Sequence, residues 1–408
     1  MKPVLLPLPG NEAPAQRVDA ELGRITSGAP SVLTVNTGSS SVRLAAFSLE
    51  GELLSRVASG HFSGNWNDPV AMLRAFLKGH GIEAVAAVAH RIVHGGARLT
   101  VPCRIDAAVE AEIERLAPLA PLHNPRALEW IRACRALFGA ETAQVAVFDT
   151  AFYATLPEVA ATYALPRALC ARHGIRRYGF HGLAHQAIWR RWRELRPDIR
   201  AGGRVISLQL GAGCSITAIR DGQIVDTSMG FSPLEGLVMA TRSGDVDPGL
   251  LLFLQRAEGL TPERMEHLLN EEAGLLGLSG ASGDMRALLH ADDAGARLAV
   301  DVYCYRARKY IGAYLAVLGG ADAILFGGGV GEQAPEVRAQ ILTGLGGLGI
   351  VPDLDVNRAA VGTESCISHC GSAAEVWVVP VDEAVILAQA ALAVTAAPEA
   401  VRVEENRS

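Results

Sequence analysis

Two stretches of this chain, one opening at Val32 and the other at Val205, follow a single plan. The first runs Val32-Leu-Thr-Val-Asn36-Thr-Gly38-Ser-Ser40-Ser-Val-Arg43-Leu-Ala-Ala46, turns at Glu50-Gly51 and returns as Glu52-Leu-Leu54. The second runs Val205-Ile-Ser-Leu-Gln209-Leu-Gly211-Ala-Gly213-Cys-Ser215-Ile-Thr-Ala218, turns at Asp221-Gly222 and returns as Gln223-Ile-Val225. Each reads as an apolar strand, a tight Gly or Gly/Ser turn, an alternating strand and an acidic-Gly hairpin into a third strand. Small residues at such a turn leave backbone N–H groups open to an anion. The repeat therefore predicts two duplicated domains with phosphate held between them.

At 408 residues, 50% hydrophobic and 20% charged, the chain is long enough for two full cores. A formal net charge of −6 and the lack of a long basic run argue against nucleic acid or an anionic membrane as partner and favour a small molecule. The only lysines are Lys2, Lys78 and Lys309, so a phosphate site must rely on Arg, His and backbone. The seven cysteines are scattered without a C-x-x-C pair, which suggests a reducing cytoplasm rather than a disulfide framework. Cys366, His369 and Cys370 lie close together but lack a fourth ligand, so no metal is expected there. Val4 to Pro9 is too short and proline-broken for a signal core, and Ala384 to Ala397 falls short of a bilayer span.

Residues 1–30, rich in Pro, Gly and Ala, read as a flexible extension. Strands are expected at 83–89, 143–148, 205–228, 321–326 and 375–381. Helices are expected from Pro125 to Phe138 with Asn124 as cap, near 249–258 and 262–270, from about Gly295 to Leu318, and from Pro335. In the long helix Leu298, Val302, Tyr305, Ile311, Leu315 and Leu318 form the expected packing face. Meanders followed by strand–helix alternation indicate α/β domains with mixed sheets.

No G-x-x-x-x-G-K-[ST] loop exists, and the run at 327–332 ends in Glu332 where a dinucleotide fingerprint needs glycine. Arg91 closes a strand before His94-Gly95-Gly96 and reads either as a ligand or as half of an ion pair. Asp149 closes the strand Val145 to Phe148, where carboxylates commonly face a crevice. His181 stands between Phe180 and Gly182 and is equally open to a structural role. Asp226 to Gly249 packs turn formers around single apolar residues without period, which suggests an ordered loop with a job. Gly280-Ala-Ser-Gly283-Asp284-Met-Arg286 repeats this on a smaller scale.

Taken together, Asn36-Thr-Gly-Ser-Ser-Ser, His90-Arg-Ile-Val-His-Gly-Gly96, Val147-Phe-Asp-Thr-Ala-Phe152, Tyr178-Gly-Phe-His-Gly182, Thr227-Ser-Met-Gly-Phe-Ser-Pro-Leu-Glu-Gly236 and Gly329-Val-Gly-Glu332 resemble the acetate kinase family over nearly all of the chain from Ser31 to about Ala397. That family belongs to the sugar kinase, actin and Hsp70 ATPase-fold superfamily. The resemblance implies two duplicated ribonuclease H-like, actin-like domains with mixed sheets and an interdomain cleft. The first would take residues 31–150 plus 384–400, the second 151–383. It implies reversible transfer of phosphate between ATP and acetate in the cytoplasm, by a homodimer with Mg²⁺ or alternatively Mn²⁺.

By the same resemblance Arg91 would hold the substrate carboxylate, Arg242 with His181 would stabilise the transferring phosphoryl group, and Asp149 would orient substrate or metal water. Asn36 and Glu383 would serve the metal. Arg43, Gln209, Leu210, Gly211, Ala212 and Gly213 would face the phosphates, while Asp284, Met285, Arg286, Gly329, Val330, Gly331, Glu332 and Gln333 would lie around the nucleoside. Val93, Leu122, Phe180 and Pro233 would form the methyl pocket. The second phosphate loop departs from the family pattern, with Gln209 for a usual His and Ala212 for a usual Asn. A relative using pyrophosphate, propionate or butyrate, or an inactive nucleotide-binding scaffold, are the alternatives.

Overall fold

The computed structural model describes residues 31–38, 41–50, 53–64 and 68–396. The extension expected over residues 1–30 lies outside them, as do Ser39, Ser40, Gly51 and Glu52 of the first repeat and residues 397–400 of the first expected domain.

The first sheet is built from β1 (Ser31–Thr37), β2 (Ser41–Glu50), β3 (Leu53–Ser63), β4 (Val85–Ile92), β5 (Cys103–Arg104) and β6 (Ala143–Phe148), in the order β3-β2-β1-β4-β6-β5. The second is built from β7 (Arg204–Leu210), β8 (Cys214–Arg220), β9 (Gln223–Thr227), β10 (Ala323–Gly327), β11 (Ser365–Cys366) and β12 (Glu375–Val378), in the order β11-β12-β10-β7-β8-β9. Read from the meander outward, the two orders are the same. In each, an antiparallel meander is extended by two parallel strands and closed by a two-residue antiparallel edge. The chain thus folds into two duplicated actin-like halves with mixed sheets. In the second repeat Asp221 and Gly222 both take positive φ, 51° and 81°, the geometry that lets a two-residue turn follow the twist of its strands.

β1 and β6 are buried at every position, as central strands covered on both faces must be. The C-terminal helix Glu383–Ala396 lays Ile386, Leu387, Ala388 and Ala391 on the first sheet, against Val32, Ala45, Phe47 and Ala89. Each buried Ile or Leu there contributes roughly 1.5–3 kcal/mol. The helix Gly182–Leu195 touches both halves, because Leu183 joins the first-sheet cluster while Ile188 and Trp192 join a cluster with Val205, Ile219 and Leu325 of the second. Its N-terminus is thereby fixed relative to both sheets.

The long helix, Ala294–Leu318, packs partly through the expected face: Ile311 and Leu318 are buried, and Val302 and Leu315 lie against the same core. Leu298 and Tyr305 are exposed, and the buried stripe runs through Ala296, Ala299, Val300, Tyr303, Cys304, Ala307, Ile311, Tyr314 and Leu318. The glycine run after β10 is itself a short helical segment, Gly328–Gln333, ahead of Pro335–Leu342. Asn124 is no cap: it is the first residue of the helix Asn124–Phe138, and its amide is used elsewhere. Among the described residues no helix is long and apolar enough to cross a membrane.

Candidate active site

β4 and β6 run parallel, with Arg91 in register with Val147, so their C-terminal ends deliver Arg91 and Asp149 to one crevice. Arg91 Nε donates to both Asp149 oxygens at 3.1 and 3.2 Å, and Nη2 to Oδ2 at 2.7 Å. Arg91 Nη1 donates to Asn36 Oδ1 at 3.1 Å, and Asn36 Nδ2 donates to Glu383 Oε2 at 2.5 Å. The ion-pair reading of Arg91 therefore holds, yet each terminal nitrogen keeps a second N–H for a ligand. Burial acts to lower the Arg91 pKa, but Asp149 and Glu383 outweigh it and keep the guanidinium charged. Burial pushes the Asp149 carboxyl up from its ordinary range, and the Arg91 fork opposes that push.

His181 stands at the N-cap of the helix Gly182–Leu195 with φ 57°. A Cβ on Gly182 would lie 1.9 Å from the Asp149 carbonyl oxygen, so only glycine lets this helix start so close to the Asp149 turn. A Cβ on Gly213 would meet His181 Cε1 and Nε2 at 3.2 Å and Arg242 Nη1 at 3.7 Å, which brings the second glycine loop, the imidazole and the guanidinium together. Arg242 Nη1 donates to the Pro233 carbonyl at 3.1 Å, and among the described residues Arg242 has no carboxylate partner. Burial lowers its pKa from the ordinary value, but a guanidinium this basic stays charged. The loop that carries it is tied down: Glu235 pairs with Arg177 at 2.6 Å, and Asp245 accepts from Gly236 N at 2.8 Å and from Tyr310 at 2.7 Å. The order expected of this aperiodic segment is thus supplied by contacts from distant elements.

Val93 and Phe180 are buried in one cluster with Ala120, and Pro233 joins the cleft through its carbonyl on Arg242. Leu122 is 43% exposed, so this member of the expected apolar pocket is not enclosed by the protein itself. Two neighbours escaped the sequence reading. His123 is held neutral, its pKa lowered to about 3 by burial and then by Arg242, Arg91 and Arg126. Asn124 receives the N–H of His94 at 3.2 Å and donates to the His94 carbonyl at 3.1 Å, clamping the turn after Arg91 to the helix behind Leu122. The adjacent imidazole beside Leu122 was the available signal for the first. Nothing local marks the second, because a cap and a long-range clamp use the same side chain.

On the far side of the glycine loop lies a cavity of about 750 Å³. Gly211, Ala212, Asp284, Met285, Arg286, Gly329, Val330 and Gln333 line it, together with Leu275 and Leu289. Its size and apolar lining suit a nucleoside. Several expected ligands stand apart from it. Leu210 is in the core, and Gly331 is buried under the turn. Glu332 Oε1 accepts the N–H groups of Gly328 at 2.9 Å and Val381 at 3.0 Å, so this carboxylate fastens the glycine turn to the chain leaving β12. Gln209 packs against Gly328, and its Oε1 is buried without a partner among the described residues. Arg43 pairs across the sheet with Asn36 and borders a separate cavity of about 480 Å³ shared with Arg56, Asp382 and Glu383.

Asn36 and Glu383, hydrogen-bonded to each other, offer hard oxygen donors beside the Arg91–Asp149 pair, while no cluster of three or more His, Cys, Asp or Glu able to hold a metal exists among the described residues. That sparse set fits Mg²⁺, which takes few protein carboxylates and completes its shell with water and substrate phosphate.

A charged but unpaired arginine, a carboxylate-gripping arginine and a glycine loop, gathered between duplicated actin-like halves, define a phosphotransferase cleft. The model of the acetokinase family matches residues 67–389. The chain is 50% identical to the acetate kinase of Solibacter usitatus over 76% of its own length and 75% of the relative's, and 43% identical to that of Leifsonia xyli over 90% and 99%. Among solved structures, the acetate kinase of Porphyromonas gingivalis superposes with a TM-score of 0.81 at 38% identity, covering 90% of this chain and all of that one. A propionate kinase from Francisella tularensis also reaches 0.81, at 34% identity over 88% and 98%. The chain belongs to the acetokinase family.

Proposed function

We propose that this chain catalyses reversible phosphoryl transfer between ATP and acetate, giving acetyl phosphate and ADP in one in-line step. The observation that carries the reading is the convergence of His181, Arg242 and Gly213 between the Arg91 crevice and the nucleoside-sized cavity. A substrate carboxylate oxygen attacks the terminal phosphorus, and the P–O bond to the leaving diphosphate breaks. No proton need be removed from a carboxylate, so the chain's work is to bring two anions together. Arg91, held by Asp149, orients the carboxylate with its free N–H groups. Val93, Phe180, Pro233 and Leu122 receive its alkyl end. Arg242 and His181 face the equatorial phosphoryl oxygens, and the backbone of Gly211–Gly213 faces the phosphate chain. Asn36 and Glu383 would hold Mg²⁺, which when bound neutralises phosphate charge.

The exposed Leu122 leaves room at the acid pocket, which favours propionate as a slower second substrate. One methylene changes discrimination by only about 1–3 kcal/mol. Trapping acyl phosphate with hydroxylamine, while varying ATP, GTP or pyrophosphate against acetate, propionate or butyrate, tests the whole reading. Product is expected with ATP and acetate, less with propionate, and none after chelation of Mg²⁺. Absence of product with ATP and acetate at millimolar levels would sink it, and product with pyrophosphate alone would transfer the assignment to that donor.

The reading includes domain limits at 31–150 plus 384–400 and 151–383, supported by the packing of Glu383–Ala396 on the first sheet. It includes a cytoplasmic homodimer. The helix Pro248–Ala257 exposes Leu250, Leu252 and Phe253, an apolar face of the kind that pairs between subunits. Sedimentation should show a dimer that Phe253→Asp dissociates, and a wild-type monomer at micromolar concentration would contradict it.

A further inference from the structure

Ser207 on β7 and Ser215 on β8 lie on the same face of the antiparallel pair, since Ser207 opposes Thr217 and Ser215 opposes Gln209. That face meets the helix Gly182–Leu195, which presents His181 and, one turn later, His185. The four side chains form one chain of contacts. His181 Nδ1 lies 2.9 Å from Ser215 Oγ, His185 Nε2 lies 2.8 Å from the same oxygen, and His185 Nδ1 lies 2.8 Å from Ser207 Oγ. Ser207, Ser215 and His185 are completely buried.

The direction of this chain follows from its closed end. Ser207 Oγ has one side-chain partner among the described residues, His185 Nδ1, and a buried hydroxyl that donates to nothing is costly. Ser207 therefore donates, and His185 Nδ1 accepts. A neutral His185 then carries its proton on Nε2 and gives that bond to Ser215. Ser215 has its own proton left for its other partner, His181 Nδ1. His181, neutral as well, must carry its proton on Nε2, the nitrogen beside Gly213 and Arg242. Burial lowers the pKa of both imidazoles, to about 3 for His185 and well below the ordinary value for His181, where Arg91 adds to the effect.

We infer that Ser207, His185 and Ser215 are positioning residues that fix the tautomer of His181, so that its Nε2–H points into the cleft as an uncharged donor. This rests on the proposed role of His181 toward the phosphoryl group. The opposite tautomer would aim a lone pair at an anion. One preorganised donor of this kind is worth on the order of 10²–10³ in kcat.

The test is a two-bond ¹H–¹⁵N correlation spectrum of the ¹⁵N-histidine-labelled full chain, with His181 assigned by its loss in His181→Gln. The expected wild-type result is protonated Nε2 and bare Nδ1. Ser207→Ala should raise the Nδ1–H population, and Ser207→Thr, which keeps the hydroxyl, should restore the wild-type pattern. In parallel, Ser215→Ala should lower kcat at least about tenfold with little change in KM, within the limit set by losing the donor outright. A wild-type His181 protonated on Nδ1 overturns the inference, whatever the serine variants do. So does a Ser207→Ala spectrum identical to wild type. Because the spectrum is read without turnover, failure of the acetate kinase reading would show separately, as missing acyl phosphate with the tautomer unchanged.

Discussion

Arg242→Ala should lower kcat by roughly 10³–10⁵-fold, the range for arginines that meet a transferring phosphoryl group, while the dissociation constant for ADP changes little. Arg242 is held by a carbonyl and a thioether contact, not by a carboxylate, so its charge is uncompensated by any described side chain. Placing a cation inside a protein without a counter-ion is unfavourable, and here the compensation is expected from an anion that arrives with the substrate. In the proposed reaction its neighbours, His181 and the Gly213 backbone, would face the phosphoryl oxygens, whereas the nucleoside-sized cavity is lined by other residues. The effect should therefore fall on kcat more than on binding. Single-turnover rates and ADP titration would check it, and equal losses in both would make Arg242 a ground-state phosphate ligand instead. Removing a partly buried charge that has no carboxylate partner among the described residues should also leave stability unchanged or raised, a sign opposite to that of the second substitution.

Asp149→Ala should destabilise the fold by about 3–5 kcal/mol, the cost of breaking a buried pair and leaving one charge alone. Asp149 is fully buried and meets Arg91 through both oxygens, with Arg91 only 12% exposed. Without it, Arg91 keeps Asn36 as its hydrogen-bond partner among the described residues, with Glu383 as the nearby charge, and would lose the orientation that the proposed reaction needs. The loss should appear as a lower urea midpoint and as a higher KM for acetate. Asp149→Asn keeps the shape and removes the charge, so it separates the two effects. A variant that unfolds as wild type does, with unaltered acetate KM, would show that the pair neither supports the fold nor aligns the arginine.

Much of this arrangement was legible along the chain because it depends on neighbours in sequence. Alternating apolar residues around Asp221-Gly222 announce a hairpin, since only a few residue types take positive φ at such a turn. Arg91 and Asp149 were visible as charged residues ending apolar strands. What was not visible is how those ends combine. The resemblance placed Glu332 at the nucleoside, but its carboxylate joins Gly328 to Val381, which lies forty-nine positions beyond Glu332. The sequence placed Asn124 as a cap, but the side chain clamps His94. The Ser207–His185–Ser215 chain carries no local signal, for serines in strands and histidines on helices are commonplace.

The sequence by itself determined the duplicated meander, the mixed sheets that follow from it and the family of the chain, because turn chemistry and strand period are properties of short segments. The tertiary structure alone decided how far round Ala294–Leu318 the buried face extends, that Arg242 has no carboxylate partner among the described residues, and which nitrogen of His181 faces the cleft. The last of these depends on the crossing of the helix Gly182–Leu195 between the two sheets, which sets distances between residues that no local rule relates.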